Sequence, residues 1–319
     1  MDLKELKNKI IKGYEIARDE ALTLIDANLD DLTEYSNEIR EHFCSNKFDL
    51  CSIINAKSGR CSEDCKYCAQ SAHYNTKVEE YSLLEDETIL KAAKENKEKG
   101  VLRFSIVTSG RKPTKSDLEK ICKIIKRIKT ETGIEVCASL GLLNKEELML
   151  LKNAGLTRIH NNLESSERFF KTVCSTHTTK HKIQTIKYAQ ELGLEICSGG
   201  ISGLGENWED RIDLALTLRD LKVMSIPLNF LCAIKGTPYE NNKLLTPDEI
   251  LRICAIFRFI NPKSFIRLAG GRYLTKDSGE KCLKAGINSL ITGDMLTTTG
   301  GTIKSDIKMA ENMGFKIKL

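Results

Sequence analysis

An α/β barrel of the TIM type, (β/α)8, carrying an N-terminal helical extension, is the fold class that the sequence predicts. Three observations lead there. From about residue 50 onward, short β-branched runs alternate with amphipathic helical stretches, as expected for repeated β-α units on a parallel sheet. The chain has 319 residues, a length that one barrel can fill without a second large domain. Residues 1–44 read as helical and carry no strand signal, so they form the extension and 45–319 the barrel.

The extension opens on Met1-Asp-Leu-Lys-Glu-Leu-Lys-Asn-Lys-Ile-Ile, a helical pattern that mixes both charge signs and lacks the plan of a signal peptide. Eight candidate strands follow: Leu50–Ala56, Arg103–Thr108, Glu135–Leu140, Thr157–Asn162, Glu195–Ile201, Ser225–Leu231, Ser264–Ala269 and Ile287–Thr292. Each precedes a helical pattern, such as Asn144–Ala154, Lys180–Leu192 or Pro247–Ile260. In such a barrel the chemistry belongs to the carboxyl ends of strands and the loops after them. The loop after the first strand runs through Lys57-Ser-Gly59 into Cys61-Ser-Glu-Asp-Cys65-Lys-Tyr-Cys68.

Composition narrows the function. Hydrophobic residues at 41% and charged residues at 29% describe a soluble globular chain, and no apolar run is long enough to span a bilayer. The expected location is the cytoplasm. Net charge is +5, with lysines scattered along polar helix faces, which marks a solvated surface and not a nucleic-acid patch. Twelve cysteines without a secretion signal point to metal ligation or burial, since the cytosol keeps thiols reduced.

Cys-x3-Cys-x2-Cys places three soft thiolates on one tight loop, suited to an iron-sulfur cluster or zinc. Structural zinc commonly takes two separated Cys-x2-Cys pairs, and the chain has no second pair. Three ligands on a 4Fe-4S cluster leave one iron open. This loop, with the aromatic Tyr67 before its last cysteine, resembles the defining motif of the radical S-adenosylmethionine (SAM) superfamily. The longer string Ile54 through Ser71 is similar to biotin synthases, as are Val136–Gly141, Ile196–Glu206, Pro227–Leu231 with Lys235–Pro238, Ile266–Arg272, and Asn288–Ser289 through Leu296–Thr299, in the same order.

The resemblance implies an auxiliary iron-sulfur cluster deep in the barrel that donates sulfur, held by three strand cysteines and an arginine. Cys137, Cys197 and Arg267 match three of those ligands, but Ser105 stands where the fourth, a cysteine, is usual. A hydroxyl is a poor ligand unless deprotonated, and strand alternation lets Cys51, with Ile53 and Asn55, face the cavity instead. The auxiliary cluster is therefore expected as 2Fe-2S or as a larger variant, with Ser105 or Cys51 as its fourth ligand and Cys44 a weaker candidate. Cys122, Cys174, Cys254 and Cys282 read as buried small hydrophobes. Cys232, at the end of the sixth strand, lies nearer the site.

The same resemblance assigns SAM contacts to Tyr67, Asn162, Glu164, Gly200, Ile201, Glu206 and Cys232. His160, Asn162 and Asn229 would face a cyclic urea, dethiobiotin, since asparagine offers paired donors and acceptors. Thr298 and Thr299 would hold its carboxylate tail, with Arg111 and Arg272 as further candidates. The implied reaction is sulfur insertion to form biotin, the last step of its biosynthesis, driven by a 5′-deoxyadenosyl radical. A flavodoxin or ferredoxin would donate the electron, and the expected assembly is a homodimer. Rival readings are an iron-hydrogenase maturase or methylornithine-type mutase, which share the loop without a sulfur donor, and a non-catalytic iron-sulfur carrier.

Overall fold

The computed structural model describes residues 2–293 and 301–318. Helices α1 (Leu3–Ile11), α2 (Arg18–Thr23) and α3 (Leu29–Cys44) come first, and β1 (Lys47–Lys57) opens the barrel. Then follow α4 (Asp86–Glu98), β2 (Arg103–Thr108), α5 (Lys115–Thr132), β3 (Glu135–Ser139), α6 (Lys145–Asn153), β4 (Arg158–His160), α7 (Glu167–Val173) and α8 (Thr179–Glu191). The second half holds β5 (Glu195–Cys197), β6 (Gly200–Ser202), α9 (Trp208–Asp220), β7 (Ser225–Phe230), α10 (Pro247–Ile260) and β8 (Phe265–Leu268). After a 3-10 turn at Arg272–Thr275 come α11 (Glu280–Lys284), β9 (Ser289–Thr292), α12 (Ile303–Asn312) and β10 (Lys316–Ile317).

Every strand pairing is parallel, and the sheet closes where β1 meets β9 through Cys51 and Ile291. The helices form because their ends and faces are specified locally. Thr246 accepts from the Glu249 N–H while Glu249 reaches back, Pro247 sits in the first turn, and the apolar side of α10 buries Ile253, Phe257 and Ile260. Helix α5 starts at the Thr114 cap and stops at Gly133, whose φ of 63° is left-handed.

Two strand expectations are corrected. The fifth run, Glu195–Ile201, is broken into β5 and β6, because at Gly199 a Cβ would lie 1.9 Å from the Pro227 carbonyl oxygen. The backbones approach too closely there for one regular strand. The fourth strand is trimmed from Thr157–Asn162 to Arg158–His160: the Asn161 N–H still makes the last rung to the Cys197 carbonyl, but next along the ladder the Gly199 N–H donates to the Asn162 side chain instead of to backbone. A further short strand, β10, pairs with the start of β1 and was not read from the sequence.

Inward positions of successive strands line one cavity of about 410 Å³. Cys51, Ser105, Cys137, Arg158, Cys197 and Arg267 lie toward its floor, and the cysteine loop after β1 forms its rim.

Candidate functional site

The three-cysteine loop is shaped by its own backbone. The Cys61 N–H donates to the Gln70 carbonyl at 2.9 Å, the Ala72 N–H returns to Cys61, and the Cys68 N–H closes on Cys65. Gly59, at φ 77°, starts the turn, and its N–H donates to the Gln70 side chain. All three thiols face the cavity. Among the described residues they are not gathered within 4.8 Å of one another, as ligands of one small ion would be. Three thiols spread around a common space suit a larger inorganic core, so the donor set fits a 4Fe-4S cluster.

Behind the loop, Glu63 is buried and accepts from Arg111 Nη1 at 3.1 Å and from Thr176 Oγ1 at 2.9 Å. His177 Nδ1 lies 2.5 Å from the same carboxylate. Arg111, a candidate for the substrate's carboxylate, is therefore engaged as a brace of the loop. Cys174 needs correction too. Buried as expected, it is not simply apolar: its sulfur, that of Cys65 and a His177 nitrogen lie within 4.8 Å of one another. The neighbouring Cys65 is the largest influence bringing the Cys174 thiol down to about 4, aided by His177.

At the floor, β1 and β3 bring Cys51 and Cys137 together. Their mutual interaction raises the Cys51 thiol and lowers that of Cys137. Burial alone would raise the Cys197 thiol, but His160, Arg267 and Arg158 outweigh it and bring it to about 6. Such a thiol is readied for metal. Ser105 sits between β1 and β3 in register with Ile53 and Cys137, buried and lining the same cavity.

Sequence reasoning missed what surrounds these sulfurs. Asp49 is fully buried, and its Oδ2 accepts from Arg267 Nη2 at 2.8 Å and Arg158 Nη1 at 3.1 Å, with Arg103 Nε at 3.3 Å. Burial works against the charged form, yet the three guanidinium groups hold the Asp49 carboxyl below its ordinary range. A usable signal existed: charged residues standing inside strand segments, where a barrel expects apolar side chains.

Along the cavity wall, Asn162 accepts the Gly199 N–H at 2.9 Å. Glu164 takes a φ of 73°, and its backbone is pinned by the Gly199 carbonyl and the Ile201 N–H. One carboxylate oxygen of Glu164 is buried without a partner, and so is one of Glu206. Buried oxygens without donors are costly alone, which suits them to a polar ligand such as a ribose or an adenine. Glu206 spends its other oxygen on the Gly203 N–H and Arg211. Tyr67, Ile201 and Cys232 line the same space.

Asn229 donates to the Gly200 carbonyl and accepts from the Gly270 N–H, which leaves one donor and one acceptor position for a ligand. His160 faces the cavity beside Cys197. Arg272 does not reach the cavity; it is buried in a two-pronged pair with Asp306 at the start of α12. Thr298 and Thr299 lie outside the described residues.

A parallel barrel with an open three-cysteine loop at its rim defines an enzyme of the radical SAM class, and the sequence model of the Radical SAM superfamily matches residues 56–218. Such enzymes use a 4Fe-4S cluster and SAM. The model of the Biotin and Thiamin Synthesis associated domain matches residues 227–316. The chain is 56% identical over 319 residues to a biotin synthase of Brachyspira hyodysenteriae, covering all of this chain and 96% of that one. It is 52% identical over 311 residues to one of Clostridium botulinum, covering 98% of each. It belongs to the biotin synthase family.

Among solved structures it resembles a methylornithine synthase, with TM-score 0.86, 20% identity, and coverage of 98% of this chain and 97% of that one. An FeFe-hydrogenase maturase from Carboxydothermus hydrogenoformans gives TM-score 0.80 at 18% identity over 98% and 79%. These two likenesses concern the fold alone.

Proposed function

We propose that the protein forms biotin from dethiobiotin, taking the sulfur from a second iron-sulfur cluster on the barrel floor. The observation that carries this reading is that Cys51, Cys137, Cys197 and Arg267 share one cavity with Cys61, Cys65 and Cys68. A maturase or mutase that lacks a sulfur donor has no need of thiols in that place. Cys61, Cys65 and Cys68 would hold the rim cluster, which would supply the one-electron reducing chemistry for cleaving SAM.

The chain's own residues position and exclude. Asn162, Glu164 and Glu206 hold the nucleoside part of SAM against Gly200 and Ile201 at the start of β6. His160, Asn162 and Asn229 take the cyclic urea, and Thr298 and Thr299 its carboxylate. The closed wall keeps a primary carbon radical from water and side reactions. The second cluster is 2Fe-2S or larger; the electron comes from a flavodoxin or ferredoxin; the enzyme works in the cytoplasm as a homodimer. Residues 45–319 form the catalytic unit and 1–44 its outer brace. No helix of the described residues is long and apolar enough to cross a membrane.

Anaerobic turnover with dithionite, SAM and dethiobiotin tests the proposal. Biotin together with 5′-deoxyadenosine is the expected result. The nucleoside without biotin overturns sulfur insertion, and neither product overturns SAM cleavage as well.

A further inference from the structure

The floor of the barrel holds more positive charge than its own carboxylates balance. Arg103, Arg158 and Arg267 converge on Asp49, and Glu195, half exposed at the outer end, pairs with Arg158 at 2.8 Å and Arg103 at 3.2 Å. Three cations face two anions, Asp49 and Glu195, neither of which lines the cavity, whereas Arg158 and Arg267 do. Burying that excess is unfavourable unless anions complete it. As thiolates on a metal cluster, the sulfurs of Cys51, Cys137 and Cys197 are the groups placed to do so.

Arg267 itself is committed to oxygen. Its Nη1 donates to the Leu290 carbonyl at 2.9 Å and the Asp49 carbonyl at 3.3 Å, and its Nη2 donates to the Asp49 carboxylate. An arginine binds iron only through a nitrogen lone pair, and here Nη1 has both hydrogens engaged while Nη2 serves the carboxylate. Cys51 offers a soft thiolate on β1, whereas the hydroxyl of Ser105 on the neighbouring β2 is a hard and weak ligand.

We propose that the second cluster rests on three thiolates, Cys51, Cys137 and Cys197, while Arg267 acts as a hydrogen-bonding cation held in place by Asp49. Asp49 is then a positioning residue for that cluster, working through Arg267 and Arg158 and touching no iron. This deepens the reading above and rests on the presence of a second cluster.

The test uses the anaerobically isolated holoenzyme with iron-57 and with arginine labelled by nitrogen-15 in the guanidinium. The expected wild-type result is two clusters by Mössbauer spectroscopy, and no directly bonded nitrogen coupling in pulsed electron paramagnetic resonance of the reduced second cluster. Cys51→Ala should lose the second cluster's iron and keep that of the loop, while Arg267→Lys should keep both. Asp49→Asn, close in shape, should loosen retention of the second cluster about 10-fold. It should also raise that cluster's midpoint potential, because a negative charge has left its surroundings, and Asp49→Glu should restore part of both. Loop-cluster iron in the same spectra reports that each variant is folded. A directly bonded guanidinium nitrogen, or a Cys51→Ala enzyme with an intact second cluster, overturns the three-thiolate site. An unmoved potential in Asp49→Asn overturns the positioning role. A wild-type chain that holds only the loop cluster overturns the two-cluster reading on which both stand.

Discussion

Glu206 shows how much one side chain is asked to do at the cavity wall. One oxygen ties the Gly203 N–H and Arg211 Nε, at 2.9 and 2.6 Å, while the other is buried without a donor. Arg211 also stacks on the Trp208 ring, 4.5 Å from its centre, so the pair fixes the start of α9 beside the glycine turn. Glu206→Gln removes the anion and leaves Arg211 buried without a countercharge, a change that costs about 3 kcal/mol. The expected outcome is a lower melting temperature by calorimetry together with a higher KM for SAM. An unchanged KM with a lowered melting temperature would confine Glu206 to stability. At this scale the rim was legible in the sequence, because Cys61, Cys65 and Cys68 act through spacing within one loop. The floor was less so: Asp49 meets Arg158 and Arg267 across separations of 109 and 218 residues.

Elements carry the geometry that residues need. The break between β5 and β6 lets β6 start beside the segment that follows β4, where a Cβ on Gly200 would stand 2.5 Å from the Glu164 carbonyl oxygen and 2.5 Å from Leu214 Cδ2. That contact holds Glu164 in its left-handed conformation, so Gly200→Ala is expected to displace Glu164 and lower kcat/KM for SAM about 100-fold. Gly133, the left-handed cap of α5, has no atom within 4 Å of an added Cβ. Gly133→Ala should therefore cost only about 1 kcal/mol of stability and leave the kinetics alone. Measuring both variants separates a glycine needed for close approach from one needed for φ alone. The sequence showed a glycine-rich turn in this place. It did not show the split strand, because the clash that forbids a regular one comes from Pro227 on β7.

At the scale of the whole molecule, the N-terminal helices close the barrel's outer layer. Helix α3 packs along α10, and its last residue, Cys44, covers the fully buried Arg258. The Arg258 guanidinium donates to the carbonyls of Gly286 and Ser264 and to Asn288, binding α10 to the segments around β8 and β9. Burial brings its ionisation down to about 10. Leu6, Ile10, Ile16, Leu24, Leu32 and Ile39 are all buried in the same layer, at about 1.5–3 kcal/mol each. Their sum rivals the whole stability of an ordinary domain, about 5–15 kcal/mol. A chain lacking residues 1–44 is thus expected to lose its cooperative melting transition and bind a hydrophobic dye. Native-like calorimetric melting of that truncated chain would refute the bracing role.

The sequence alone determined the barrel and the rim, since strand and helix periodicity, capping and cysteine spacing are local properties that short segments express by themselves. Tertiary structure alone decided the floor. There Cys51 and Cys137, 86 positions apart in the chain, meet on neighbouring faces. Three arginines from β2, β4 and β8 also converge on one carboxylate from β1. Barrel closure and strand register set which inward positions are neighbours, and no local pattern encodes either one.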